Sequence, residues 1–126
     1  MDDKSCIIYI GPKFTIEWYY DKDEYSIAKN YFEKTALEQK RKFYLLIKKM
    51  GDTGKIFDKT KFRNEGDGIF VFKPKPNRYL SFFTDNRKII ITNAFEKKTN
   101  KMPKNEKDLA IKLRKDYFER QLGENK

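Results

Sequence analysis

Three apolar runs, joined by links too short for anything but reversals, limit this chain more than any other feature. They are Gly68 to Lys73, Arg78 to Thr84 and Lys88 to Phe95. β-Branched and aromatic residues dominate each, as strands favour. Pro74-Lys75-Pro76-Asn77 joins the first two and Asp85-Asn86-Arg87 the last two. Links of that length and composition make antiparallel hairpins. The three runs therefore predict an antiparallel meander.

The rest of the chain must cover that meander. Residues 14–20 (Phe14-Thr15-Ile16-Glu17-Trp18-Tyr19-Tyr20) predict a strand, and Cys6 to Ile10 a shorter one stopped by Gly11-Pro12. From Glu24 the period becomes helical. Ile27, Tyr31 and Thr35 share a face, with Ala28 and Phe32 beside it. Thr35-Ala36-Leu37-Glu38 fits a capping box, which would start a second helix. Leu37, Phe43, Tyr44, Ile47 and Met50 give that helix an apolar side, and Gly51 ends it. A single helix over 24–50 is the alternative, since no Pro or Gly intervenes. The hairpin is preferred because two amphipathic helices cover a sheet more compactly. Residues 51–67 read as loop. Pro103 opens a last helix at its first turn, with Leu109, Leu113 and Tyr117 as its apolar side and Gly123 as its end. The expected fold is α+β, an antiparallel sheet with an N-terminal helical hairpin and a C-terminal helix. One domain spans 1–126, with its core over 14–118.

Composition narrows the chemistry. There is no histidine and one cysteine, Cys6, which excludes His-dependent triads, a disulfide framework and a multi-Cys zinc site. Aromatics at 16% argue against disorder. No apolar run approaches the ~20 residues that span a bilayer, so no membrane partner is expected. Any catalysis must use Lys, Arg, Tyr, Asp or Glu. The 29 Lys and Arg exceed the 19 Asp and Glu, for a net charge of +10. Residues 1–24 hold six acids against three bases, whereas 73–104 hold nine bases against two acids. A concentrated positive segment attracts polyanions, and nucleic acid is the expected one. A basic surface without a partner is the plain alternative.

Three constellations could carry function. The 74–77 link places Lys73 opposite Arg78. Like charges facing across strands destabilise a sheet, and a bound phosphate would relieve them. Two solvated charges at a hairpin end are the alternative. Residues 95–103 bring Lys97, Lys98 and Lys101 to the start of a helix, whose positive end favours an anion. An ordinary polar loop would read the same way. Arg114 and Tyr117 are three apart on the last helix, although Tyr117 also continues an apolar stripe as a core aromatic would. Phe70, Phe72, Phe82 and Phe83 are core by alternation, not stacking platforms for bases.

Taken together, these segments resemble the RelE/HigB-type toxins of bacterial toxin–antitoxin pairs, in particular the phage-derived HigB-like branch. The resemblance lies in Gly68-Ile69-Phe70-Val71-Phe72-Lys73, Arg78-Tyr79-Leu80-Ser81-Phe82-Phe83 and Ile89-Ile90-Ile91-Thr92-Asn93-Ala94-Phe95-Glu96-Lys97-Lys98-Thr99. Lys101-Met102-Pro103 and the segment from Ala110 to Tyr117 continue it, and Lys61-Phe62-Arg63 fits the layout. It implies a RelE/ParE-like fold and a cytoplasmic endoribonuclease (an mRNA interferase, hence a hydrolase). Such a toxin cuts mRNA in the 30S A site, inhibits translation and growth, and is neutralised by a cognate antitoxin. No metal or other cofactor is implied. Arg78, Lys73 and Tyr117 take the catalytic positions. Lys75, Lys97, Lys98, Lys101, Arg114 and Arg63 take RNA-binding ones. Glu96 before the paired lysines departs from the family pattern, as a salt-bridge partner or a proton acceptor. The general base stays open between Lys73, Glu96 and another residue. A ParE-like, non-enzymatic gyrase-binding toxin and a catalytically inactive RNA-binding module are the competing readings.

Overall fold

The computed structural model describes residues 6–124, so the outermost residues of the expected domain lie outside the described ones. In chain order the elements are β1 (Ile7–Ile10), β2 (Thr15–Trp18), α1 (Ile27–Glu33), α2 (Leu37–Thr53), β3 (Phe62–Asn64), β4 (Phe70–Phe72), β5 (Asn77–Phe83), β6 (Lys88–Glu96) and α3 (Lys104–Glu124). Among the described residues the strands form one sheet, ordered β1-β2-β6-β5-β4-β3. Ile89, Ile90 and Ile91 of β6 are all fully buried. Successive strand residues point to opposite faces, so such a run needs cover on both sides. The helical hairpin supplies one side. Ile89 and Ile91 pack there with Trp18, Phe32, Phe43, Ile47 and Tyr79. Trp18 and Phe43 stack at 5.5 Å between ring centroids, and Phe43 lies 4.4 Å from Tyr79. Helix α3 supplies the other. Ile90 packs there with Ile69, Leu80, Phe82 and Ala110. No helix among the described residues is long and apolar enough to cross a membrane.

The meander and the helical hairpin agree with the sequence reading, and four local features do not. First, β2 and β6 pair in parallel, Thr15↔Lys88 through Trp18↔Ile91. Parallel neighbours need a long crossover, here the whole hairpin and meander, so no local pattern marks them. Second, the capping box does not form. Ala36 is the N-cap of α2 without a side-chain hydrogen bond. The Thr35 hydroxyl instead donates to the Phe32 carbonyl at 2.6 Å, closing the end of α1. Third, Gly51 lies inside α2, and Gly54, at φ 75°, is the left-handed cap. Fourth, residues 51–67 contain β3, an edge strand pairing Phe62↔Phe72 through Asn64↔Phe70. Three polar-flanked residues give no periodicity to detect. At the last helix Pro103 stands just before the first helical residue, its carbonyl accepting from the Glu106 and Lys107 amides. Gly123 lies within its final turn. Its buried stripe centres on Ala110, with Leu113 and Tyr117 beside it.

Gly51 has a packing reason to be glycine, since a Cβ there would sit 2.7 Å from the Tyr9 ring. The Gly51 carbonyl accepts from the Lys13 and Phe14 amides at 2.9 and 3.2 Å. A Cβ on Gly11 would sit 2.2 Å from that same oxygen. Gly11→Ala is therefore expected to cost about 1–3 kcal/mol, as overpacking against fixed backbone does. The check is a lower urea midpoint at unchanged slope. A wild-type midpoint would mean that the turn before β2 does not rest on α2.

Candidate functional site

A change of parity in β6 builds the site. Pairing with β5 steps from Ser81↔Ile91 to Leu80↔Asn93, which leaves Thr92 as an extra residue. Such a bulge reverses which side chains face which way. Beyond it Ala94 joins the hairpin-side core. Asn93 turns toward α3, donating to the Glu106 carbonyl and carboxylate at 3.2 and 3.0 Å. Phe95 and Lys97 follow Asn93 in parity. On β5, Leu80 and Phe82 lie under α3, and Arg78 extends the same face past the end of the helix. The uncovered part of the sheet is thus a cleft of about 340 Å³, floored by Val71, Arg78 and Phe95.

Cations surround that floor. Lys59 and Arg63 come from β3 and its approach, Lys73 and Lys75 from the link after β4, and Lys97 and Lys101 from the loop before α3. With Arg78 they make seven, against one lining carboxylate, Glu65. The β4–β5 register, Phe72↔Tyr79, puts Lys73 against Arg78 at its next step, as the sequence predicted. Arg78 is not the solvated hairpin-end charge that the alternative supposed. It is only 8% exposed. Its Nη1 donates to the Asn77 carbonyl at 3.0 Å, and it forms no ion pair among the described residues. Burial lowers its pKa, so its charge is held at a cost that an anion in the cleft would offset. Asn77 fixes the start of β5. Its amide accepts from the Tyr31 hydroxyl and donates to Gln39 Oε1 at 3.1 Å, which ties Arg78 to both helices of the hairpin.

Lys73 Nζ donates to the Lys59 carbonyl at 3.1 Å. Burial lowers its pKa below 10.5, and Arg78, Arg63 and Lys97 add to the effect. A lysine whose folded pKa is depressed costs stability while protonated. Its contribution to stability rises as pH climbs through the folded pKa towards 10.5. After ¹³C reductive methylation, the Lys73 amine is expected to titrate below the other lysines. Arg78→Met should move it back up. An ordinary Lys73 titration would dissolve the cluster as an electrostatic unit.

Six of the nine residues singled out from the sequence thus line one cleft: Arg78, Lys73, Lys75, Lys97, Lys101 and Arg63. Tyr117 is not brought there. Its ring packs on Phe82 at 5.4 Å, and it borders a separate hollow with Glu17, Lys88 and Arg120. The core-aromatic reading describes its surroundings. Arg114 donates to the Asp67 carbonyl, clasping the loop before β4 to α3. Lys98 is exposed and outside the lining, as is Glu96, which pairs with Asn77. Sequence reasoning missed Lys59, Thr60 and Glu65, because their segment read as loop. Thr99 and Asn100 stood within the 95–103 constellation but carried no role. The Asp58 carboxylate caps the Thr60 amide at 2.9 Å, a turn signal that points to β3 only once the strand is seen.

Among curated proteins none matches the sequence. The profile of the phage-derived Gp49-like protein family (DUF891) matches residues 30–115, which runs from within α1 through the first half of α3 and takes in every cleft cation. By that match the chain belongs to the Gp49-like family, a RelE-like family associated with toxin–antitoxin systems.

Proposed function

We propose that the chain is the toxin of a type II toxin–antitoxin pair, of the HigB-like branch, acting in the cytoplasm as a metal-independent endoribonuclease on mRNA in the 30S A site. The observation that carries this is the convergence of seven cations on one half-covered sheet face around a buried Arg78 that has no ion-pair partner among the described residues. The geometry suits ribose-assisted cleavage. The 2′-oxygen attacks the adjacent phosphorus, its proton passes to a base, and the 5′-oxygen leaves with a proton from an acid. A 2′,3′-cyclic phosphate remains. Lys73 suits the base, since its lowered pKa leaves more of the free amine near neutrality. Arg78 suits the phosphorane, because its planar fork can grip two oxygens as charge develops. Lys97 or Lys101 can protonate the leaving oxygen.

The RelE-like family membership supports an antitoxin partner, and a basic cleft fits an acidic segment of it. A gyrase-binding toxin has no use for such a cleft. The test is inducible expression in bacteria with mapping of messenger 5′ ends. Growth should arrest, a small protein encoded beside this gene should restore it, and cuts should fall at codon-dependent positions within translated frames. Unimpaired growth at high soluble expression would overturn the toxin reading. Arrest with intact messengers and damaged DNA would replace it by the gyrase reading.

A further inference from the structure

A second groove begins where the cleft ends. Lys73, Lys75 and Thr60 line both, standing on the ridge between them. Beyond the ridge the floor is apolar, made by Leu45 and Leu46 of α2 together with Pro74. Lys42 and Lys61 complete the rim, and among the described residues no carboxylate lines it. Leu45 is 69% exposed. Lys42 and Leu45 are three apart on α2, so they share a helix face. An exposed apolar surface rimmed by charge marks a place where something docks. Four lysines with no acid select a polyanion, and the apolar floor selects one that also carries flat, weakly polar faces. Single-stranded nucleic acid has both features, with charge along its backbone and bases to lay on an apolar floor.

We propose that this groove holds the nucleotide next to the one whose phosphate sits in the cleft, its base against Leu45 and Pro74 and its phosphate between Lys42 and Lys61. The RNA path then turns round the 73–77 link instead of ending at Arg78. This rests on the ribonuclease reading of the cleft, and it assigns roles to Lys42, Leu45 and Lys61, none of which that reading uses. All three are exposed, so their substitution should leave the fold intact.

The probes are a dinucleoside monophosphate and a hexanucleotide with 2′-deoxy sugars, which cannot be cut, followed by fluorescence anisotropy. The wild type should bind the hexamer more tightly. Lys42→Ala/Lys61→Ala should weaken the hexamer about tenfold at moderate salt. It should flatten the salt slope by about 0.7, one phosphate contact on a single strand, and leave the dinucleotide within twofold. Leu45→Asp should weaken only the hexamer, with an unchanged melting temperature. If Lys42→Ala/Lys61→Ala leaves the hexamer untouched while Arg78→Met weakens both probes, the groove is not on the RNA path and the cleft reading stands. That result, with weakened binding of an acidic antitoxin peptide, would give the groove to the peptide. If Arg78→Met also changes neither probe, or the wild type binds neither, the cleft reading falls and takes the groove with it.

Discussion

Arg78→Met is expected to abolish toxicity and lower messenger cleavage by about 10²-fold or more, the usual loss when one transition-state donor is removed, while the protein stays folded. Burial decides the choice of substitution. At 8% exposure the aliphatic stem of Arg78 fills space beside its cross-strand neighbour Phe95, so alanine would leave a void and confuse loss of chemistry with loss of packing. Methionine keeps the stem and removes the charge. The charge itself is a burden on the fold, since it is buried, has no ion-pair partner among the described residues and faces Lys73. Its removal should be neutral or stabilising, within about 1 kcal/mol. Thermal melting and cleavage on the same preparation separate the cases. A folded Arg78→Met protein that cuts at the wild-type rate would remove Arg78 from the mechanism. One that melts far below the wild type would make it a structural residue.

Local chemistry shows in this sequence wherever neighbours in sequence are also neighbours in space. The 74–77 link fixed Lys73 against Arg78 because a hairpin leaves little choice of partner. The three runs of the meander carry their own alternation, and their strands lie where that alternation sets them. Gly51 misled for a physical reason. Glycine after an apolar helix face reads as a cap, but in this fold it makes room for the Tyr9 ring, a contact from a distant part of the chain. The parallel β2–β6 pair and the edge strand β3 depend on the same kind of long-range choice. The bulge at Thr92 matters most for the site. Strict alternation from Ile90 would turn Ala94 and Glu96 to the α3 face, and the single extra residue gives that face to Phe95 and Lys97 instead. Nothing in Ile-Ile-Ile-Thr-Asn-Ala-Phe announces it. The Thr92 hydroxyl, which donates to Asn93 Oδ1 at 2.6 Å with the Leu80 carbonyl 3.2 Å away, is part of how the extra residue is held. Tyr117 shows the converse. A tyrosine three residues from an arginine looked like a functional pair, but Arg114 clasps a loop and Tyr117 packs on Phe82.

Binding to RNA is expected to weaken by about 10²-fold between 50 and 200 mM salt. On a single strand each phosphate contact contributes about 0.7 to the log–log slope. If five of the seven cleft cations engage phosphates, the slope is about −3.5, and a fourfold rise in salt then costs about two decades. The location of the charge is as testable as its amount. Lys97→Ala/Lys101→Ala removes two cations from the rim beside α3 and should flatten the slope by about 1.4. Lys112→Ala/Lys115→Ala removes two exposed lysines of α3 that do not line the cleft, with the same change in net charge. It should leave the slope nearly unchanged, because neither lysine lines the cleft and salt screens solvent-exposed charges. Equal effects from the two pairs would mean that net charge, and not the cleft, attracts the RNA. A flat affinity across the whole salt range would exclude phosphate contacts as the source of binding, and with them the proposed role of the cations around Arg78.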